Sequence, residues 1–109
     1  MKRVACYVRA NTEGQNSIDN QISSLEEYCK ENNYTIAGIY KDSGISARKS
    51  YKERPALLQL IEDCKNGKID LIIFTKLDRL SRNVRDYYEL QRVLDKYDVE
   101  WFCLGGDLE

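Results

Sequence analysis

The stretch Asp70–Thr75, DLIIFT, decides the fold class of this chain. It holds an unbroken apolar run of leucine, two isoleucines and phenylalanine, with polar residues on both sides. Such a run is typical of a strand that is buried on both faces, as the strands of parallel sheets are. We therefore predict that residues 70–75 form a central strand of a parallel sheet.

The rest of the chain supplies the partners of that strand. Similar apolar runs predict three further strands, at residues 4–9, 34–40 and 99–105. Apolar residues at spacings of three and four predict helices over about 17–32, from Pro55 up to the closing segment NGK (66–68), and over about 84–97. Ser17 is a candidate N-cap, Pro55 suits the first helical turn, and Gly67 suits a helix C-terminus. The order βαβαβαβ predicts an α/β fold with a mainly parallel, four-stranded sheet covered by helices on both faces.

Composition limits the class of protein. The chain has 109 residues, enough for one domain with one core. Its four cysteines are widely spaced and it has no histidine, which argues against a zinc site and against a disulfide framework. We interpret the cysteines as buried apolar groups in a reducing cytosol. Because no run approaches the length of a membrane span, we expect a cytoplasmic protein.

The charge distribution is more informative than the net charge of −1. Residues 41–54 carry +3 and residues 76–86 carry +2, so the remaining residues sum to −6. Each basic segment follows a predicted strand, and ligands of parallel sheets bind outside the carboxyl ends of the strands. We therefore expect positive charge to converge at this edge and to attract an anion. The alternative is two solvated loops that never meet.

The segment TKLDRLSRN, residues 75–83, is the densest candidate site. Arg79 and Arg82 are three residues apart, so both guanidinium groups can project to one side of a helical turn. Asp78 lies four residues before Arg82 and can orient it. Two guanidinium forks suit a phosphoryl group, because its transition state spreads negative charge over several oxygens. Alternatively, Asp78 and Arg82 form an ordinary surface pair.

Arg9 is further evidence for an anion-binding site. It lies at the carboxyl end of the first predicted strand, where a partly desolvated cation needs an acid or an anionic ligand. Asp42, at the end of the second strand, is the candidate structural partner. Arg54 ends the polar segment 41–54, and we expect it to move with that segment. Four arginines and two aspartates at one edge exceed what a fold requires.

Together these residues resemble a known family. The stretches YVRANTEGQNSIDNQ (7–21), DSGIS (42–46) and RPALLQLIEDCKNGKIDLIIFTKLDRLSRN (54–83) are similar to the catalytic domain of the serine site-specific recombinases, the resolvase/invertase family. The LDRLSRN form resembles the large-serine and transposon branches. The resemblance runs from about residue 3 to 104, and the tyrosine–x–arginine opening combined with the LDRLSR block makes it specific.

The resemblance implies an activity and a set of site residues. In that family a serine hydroxyl attacks the scissile DNA phosphate and forms a 5′-phosphoserine link, without a metal or nucleotide cofactor. By motif, Arg9, Arg79 and Arg82 would bind the scissile phosphate and stabilise its transition state, and Arg54 would assist from the polar segment. Asp78 would orient arginines and assist proton transfer at the leaving oxygen. The supporting polar groups would be Gln21, Asp42 and Ser46.

One position departs from the family pattern. The nucleophile is expected two residues after Arg9, and this chain has Asn11 there. A carboxamide has no hydroxyl and cannot form the phosphodiester link, so we predict that the chain as written is inactive. On an extended segment Thr12 would point away from the phosphate, so we expect it to be a poor substitute. Asn11 is either engineered or natural. Because the other site residues match the family pattern, we favour the engineered origin.

The second departure is length. In the family a long helix and separate DNA-binding domains follow the catalytic domain, and we expect residues 1–109 to be a single catalytic domain cut before them. With a pI near 5.6, we expect weak DNA binding by this chain alone. Dimers and tetramers would form in the full-length protein, and no membrane or nucleotide is expected as a partner.

Two other functions remain open at this point. The chain could be a non-catalytic recombinase-derived module for assembly or regulation, with Asn11 natural. It could also be a small α/β domain that binds phosphate or a nucleotide. A phosphate- or nucleotide-binding domain of that kind requires a glycine-rich first loop, and RANTEGQ (9–15) has a single glycine.

Overall fold

The computed structural model describes residues 2–10, 15–43, 53–75 and 84–105. Within these residues the strands and helices alternate as the sequence predicts. In chain order they are β1 (Arg3–Ala10), α1 (Gln15–Glu31), β2 (Thr35–Ser43), α2 (Pro55–Lys65), β3 (Leu71–Phe74), α3 (Val84–Lys96) and β4 (Glu100–Cys103).

The described strands form one sheet in the order β2-β1-β3-β4, and every neighbouring pair is parallel. The two middle strands carry the most complete apolar runs: all of β3 is buried, and so is β1 from its second residue onward. The prediction of a four-stranded parallel sheet with residues 70–75 near its centre is confirmed. All strands therefore end at one edge, here called the carboxyl edge, and begin at the opposite, amino edge.

Helices cover both faces of the sheet, as predicted. Side chains alternate along β1, so Tyr7 lies in a core with α2 and α3, whereas Cys6 lies in a second core with α1. The cysteines are free and buried on these two faces, which confirms their interpretation as core residues. Burial raises the pKa of Cys6 and of Cys64 to about 12. Among the described helices, none has the length and apolar character needed to cross a membrane.

The predicted signals at the ends of α2 are confirmed. Pro55 opens the helix, where the missing N–H costs no hydrogen bond. Gly67 follows the C-cap with φ +72°, a left-handed conformation that only glycine adopts at low cost, and its N–H donates to the Cys64 carbonyl.

Two boundaries differ from the sequence prediction. Helix α1 begins at Gln15, so Ser17 lies inside its first turn and the N-cap prediction is wrong. The apolar spacing that begins at Ile18 marks the buried face of the helix, and the helix extends further than that face. Strand β2 runs on to Ser43 because Asp42 and Ser43 still pair with Arg9 and Ala10 of β1. The sequence also predicts disorder for residues 43–53, because they bury little and carry net positive charge. Residues 44–52 of that segment lie outside the described residues.

Candidate active site

Three charged side chains are buried at the carboxyl edge. Arg9 and Asp42 occupy paired positions in the last part of β1 and β2, and their exposed fractions are 1% and 2%. Arg54, directly before α2, is 0% exposed. Buried charge requires partners, since the desolvation cost is several kcal/mol for each ion. The contacts around Asp42 and Arg54 show how this cost is met.

Asp42 caps helix α2 from the neighbouring strand. Its Oδ1 accepts a hydrogen bond from the Ala56 N–H at 2.9 Å, and its Oδ2 accepts one from the Leu57 N–H at 3.2 Å. Both donors belong to the first helical turn, where N–H groups lack partners within the helix and a negative charge is favoured. These two hydrogen bonds join β2 to α2, a role that the sequence did not predict for Asp42.

Tyr7 completes this cluster. Its hydroxyl donates a hydrogen bond to Asp42 Oδ2 at 2.9 Å and lies 3.5 Å from Arg54 Nη1, which donates to it. The Arg54 guanidinium carbon lies 6.0 Å from the centre of the Tyr7 ring. Burial raises the pKa of Tyr7 far above its ordinary value, Arg54 opposes the rise, and Asp42 adds to it. The phenol therefore keeps its proton and acts as a donor to Asp42.

The placement of Arg54 differs from the expectation that it would move with the polar segment. Its extended backbone stands at the N-cap position of α2, and its carbonyl accepts the Leu58 N–H at 2.9 Å. The side chain packs on Tyr7 in the core. Arg54 thus belongs to the frame formed by β1 and α2.

Gln21 supports the end of β1 from helix α1. Its Nε2 donates to the Arg9 carbonyl at 3.1 Å, and the Arg9 N–H lies 3.4 Å from Gln21 Oε1. The carboxamide thus pairs with both backbone polar groups of one residue, as a neighbouring strand would. The described pairing of β1 with β3 ends at Cys6, so Gln21 takes over that role three residues further along. This contact fixes the backbone from which the Arg9 side chain projects.

The other candidate residues lie outside the described residues. These are Asn11, Ser46, Asp78, Arg79 and Arg82. They belong to three segments that follow β1, β2 and β3, and these strands are parallel and end at the carboxyl edge. The structure thus brings Arg9, Gln21, Asp42 and Arg54 to one edge and leaves the placement of the other five as predictions.

Sequence reasoning did not select Tyr7 as a site residue, although a signal was present. Residues two apart on a strand point to the same face, so the spacing of Tyr7 and Arg9 puts the phenol beside the cation. Its link to Asp42 was not visible, because that contact spans 35 residues of sequence.

Comparison with known proteins identifies the family. The family model described as "Resolvase, N terminal domain" matches residues 4–107, so the chain belongs to the resolvase family, whose members are serine recombinases. The match spans nearly the whole chain and covers the strand ends described above.

Individual relatives agree with this family. The chain is 32% identical over 111 residues to the Transposon Tn2501 resolvase of Escherichia coli, covering 96% of this chain and 51% of the relative. It is 33% identical over 105 residues to a putative DNA recombinase of Bacillus subtilis strain 168, covering 95% of this chain and 21% of the relative. The chain therefore spans about half the length of the first relative and about a fifth of the second.

Solved structures share the fold. The N-terminal catalytic domain of TP901-1 integrase is 38% identical to this chain and superposes with a TM-score of 0.87, covering 94% of this chain and 78% of the other. A resolvase family site-specific recombinase from Streptococcus pneumoniae is 26% identical with a TM-score of 0.80, over 95% of this chain and 72% of the other. The all-parallel sheet with its helices is thus the fold of recombinase catalytic domains.

Proposed function

We propose that residues 1–109 are the catalytic domain of a DNA site-specific recombinase that cuts and rejoins DNA. In this chain the domain is inactive, because Asn11 stands at the position of the serine nucleophile. The observation that carries this proposal is the buried cluster of Arg9, Asp42 and Arg54 at the carboxyl edge. A fold gains little stability from burying charge, so such a cluster favours a role in chemistry. Family membership supplies the class of reaction.

The reaction is a phosphoryl transfer without metal or nucleotide. With serine at position 11, the hydroxyl loses its proton as its oxygen bonds to the scissile phosphorus. The bond from phosphorus to the 3′ oxygen breaks, and that oxygen takes up a proton, so no proton is gained or lost overall. A 5′-phosphoserine link and a free 3′ hydroxyl result, and the reverse attack by a new 3′ hydroxyl rejoins the DNA. Because one phosphodiester bond replaces another, no external energy source is needed.

The arginines act by electrostatic stabilisation. Arg9, Arg79 and Arg82 are proposed to hold the scissile phosphate, whose transition state carries negative charge on its equatorial oxygens. Arg54 adds a fixed positive charge from the frame, and Asp78 orients arginines and assists protonation of the leaving oxygen. Gln21, Asp42 and Ser46 support these groups. Guanidinium groups keep their charge at all working pH values, which suits a site without histidine.

Asn11 makes the proposal testable. The test uses an extended chain, in which residues 1–109 are joined to the DNA-binding part of a relative with a known site. We expect the extended Asn11→Ser chain to form a covalent DNA–protein adduct on that site. A denaturing gel with end-labelled DNA detects it. Asn11→Ala is the matched control and gives no adduct. Absence of an adduct from the serine variant, with site binding intact, would contradict the proposed function.

The partners follow from the reaction. DNA is the substrate, and this chain alone is expected to bind it weakly because its net charge is −1. We propose that the longer protein forms dimers and tetramers, as exchange of two duplexes requires several subunits, and that it works in the cytoplasm. Neither a membrane nor a nucleotide is a proposed partner.

The second candidate function is a non-catalytic module for assembly or regulation, which Asn11 itself favours. If Asn11 is natural, the domain keeps the fold and its contacts without cutting DNA. Sequencing the source gene separates the two, because a serine codon at position 11 excludes the non-catalytic module.

A further inference from the structure

We propose that Cys6 and Cys29 form a redox site, in which hydrogen peroxide joins the two thiols into a disulfide between β1 and α1. The site does not depend on the function proposed above. It uses two thiols that the proposed phosphoryl transfer leaves without a role.

The two thiols meet in the apolar core between β1 and α1. Cys6 lies on β1, Cys29 lies in the last turn of α1, and both are buried in the same cluster. A hydrogen bond joins the two side chains. Because a disulfide places its sulfurs about 2.05 Å apart, thiols already in contact need only a small shift of the helix to bond.

The sheet separates this pair from the other two cysteines. Cys64 and Cys103 lie in the core on the opposite face, with α2 and α3. Among the four cysteines, Cys29 is the one that lies on the same side of the sheet as Cys6. Cys64 is a matched control, because burial raises its pKa to about 12, the same value as for Cys6.

The two thiols differ in how they become accessible. Cys6 is paired on both sides in the sheet, with Ile39 of β2 and Ile73 of β3. The last turn of α1 opens at a lower free-energy cost than a central strand, which exposes Cys29. Burial raises the pKa of Cys29, but the hydrogen bond with Cys6 lowers it. We therefore expect Cys29 to be oxidised first and Cys6 to react second.

A cavity of about 230 Å³ lies beside the last turn of α1. Its lining includes Tyr28, which precedes Cys29, and Tyr34, whose N–H donates to the Cys29 carbonyl at 2.9 Å. This space is large enough for a molecule of the size of water or peroxide. The oxidant can therefore reach Cys29 when one helical turn opens, and the sheet stays folded.

The reaction consumes one peroxide and two thiols. Cys29 loses its proton and its sulfur bonds to one peroxide oxygen, the O–O bond breaks, and the departing oxygen leaves as water with that proton. The product is a sulfenic acid. The Cys6 sulfur then bonds to the Cys29 sulfur, the S–O bond breaks, and a second water carries away the Cys6 proton. Two electrons pass from the sulfurs to the peroxide.

The disulfide would form a second link between the two elements that hold Arg9. Gln21 of α1 already binds the Arg9 backbone. Gln21 precedes Cys29 by about 12 Å along the helix, and Arg9 follows Cys6 by about 10 Å along the strand. A covalent bond restrains α1 from separating from β1, so we expect amide hydrogen exchange at Arg9 to slow in the oxidised chain.

The first experiment treats this chain with hydrogen peroxide in the presence of a metal chelator. The remaining thiols are alkylated in urea, and the protein is digested without reduction and mapped by mass spectrometry. We expect one cross-link, between Cys6 and Cys29, and loss of these thiols at least about tenfold faster than loss of the Cys64 thiol. Absence of this cross-link, or equal loss of the Cys64 thiol, would overturn the proposal.

Single variants test the order of the two steps. Cys6→Ala leaves the Cys29 sulfenic acid without its reaction partner, and we expect dimedone to trap it. In Cys29→Ala the oxidation of Cys6 should slow about tenfold, because Cys6 lies on a central strand. Cys64→Ala should leave the cross-link unchanged. Equal trapping at Cys6 and Cys29 would contradict first attack by Cys29.

The last experiment measures the link to Arg9. We expect amide exchange at Arg9 to slow at least about threefold after oxidation and to recover when dithiothreitol reduces the disulfide. Cys29→Ala is the control and should show no response to peroxide. Unchanged exchange at Arg9 in the fully cross-linked chain would overturn the link between the disulfide and the strand end.

Discussion

Charged side chains are exposed at the amino edge of the sheet and buried at its carboxyl edge. At the amino edge, Arg3 binds Asp70 at 2.9 Å and Lys2 binds Glu100 at 2.7 Å, and all four side chains are between 38% and 70% exposed. At the carboxyl edge, the charged side chains of Arg9, Asp42 and Arg54 are 2% exposed or less.

This difference in exposure distinguishes charged pairs that only join strands from charged groups that we assign to the reaction. Exposed pairs at the amino edge join the start of β1 to the starts of β3 and β4. Their desolvation cost is small and so is their gain in stability, because water screens them. At the carboxyl edge, N–H groups of a helix N-terminus and a phenol offset the desolvation cost of buried ions. A carboxamide there holds the backbone of Arg9. A buried polar cluster of this kind marks the end of the sheet where we place the reaction.

The largest effect is expected on stability from Asp42→Ala. The substitution leaves the hydroxyl of Tyr7 and the N–H groups of Ala56 and Leu57 without their acceptor, in the core. We expect the free energy of unfolding to fall by about 3 kcal/mol, measured by urea denaturation. Asp70→Ala at the amino edge is the control and should cost clearly less. Equal losses of unfolding free energy in Asp42→Ala and Asp70→Ala would contradict the difference between the two edges.

The next effect is on catalysis. In the extended Asn11→Ser chain, we expect Arg82→Ala to lower the DNA cleavage rate about 100-fold, as loss of one transition-state donor does elsewhere. DNA retention in a gel-shift assay should stay nearly intact. Arg3→Ala removes an arginine from the amino edge and should leave the cleavage rate unchanged. Parallel loss of cleavage and retention in Arg82→Ala would indicate unfolding or a binding role.

A smaller effect is expected from Gln21→Met, which keeps the side-chain length and removes the carboxamide. The backbone N–H and carbonyl of Arg9 then lose their partner, and we expect a loss of about 1–2 kcal/mol in unfolding free energy. Amide hydrogen exchange should accelerate at Arg9 more than at Cys6, which is paired with β3. Unchanged exchange at Arg9 would show that Gln21 does not hold the strand end.

The smallest effect belongs to the amino edge and depends on pH. Hydrogen bonds from Arg3 lower the pKa of Asp70 from 3.8 to about 2. A depressed pKa in the folded state adds stability above the unfolded pKa, and this stability is lost as the pH falls through the folded value. Asp70→Asn should lower Tm by at most about 4 °C near neutral pH, and the difference should narrow between pH 4 and 2. A constant difference across that range would exclude the ionised Asp70 as its source.

The sequence predicted features that depend on neighbouring residues. The apolar run of β3, Pro55 at the start of α2 and Gly67 at its end each reflect local backbone preferences or burial, and the structure confirms them. The start of α1 was missed because the apolar pattern reports the buried face of a helix and not its first turn.

The candidate site was predicted in part. Arg9 and Asp42 were placed at one edge because parallel strands end together, and they do pair in register. The helix-capping contacts of Asp42 were not predicted, because a carboxylate on a strand reaches an N–H group 14 residues later only once α2 has packed. The burial of Arg54 was missed for the same reason, since it depends on the Tyr7 ring from a strand far away in sequence.

The most direct test of the central claim is the identity of the bond formed at position 11. The adduct of the extended Asn11→Ser chain is digested with protease and nuclease and mapped by mass spectrometry. We predict a nucleotide attached through its 5′ phosphate to Ser at position 11, with a free 3′ hydroxyl on the other DNA end. Attachment at another residue, or no attachment while the protein occupies its site, would contradict a phosphate-transfer site at the carboxyl edge.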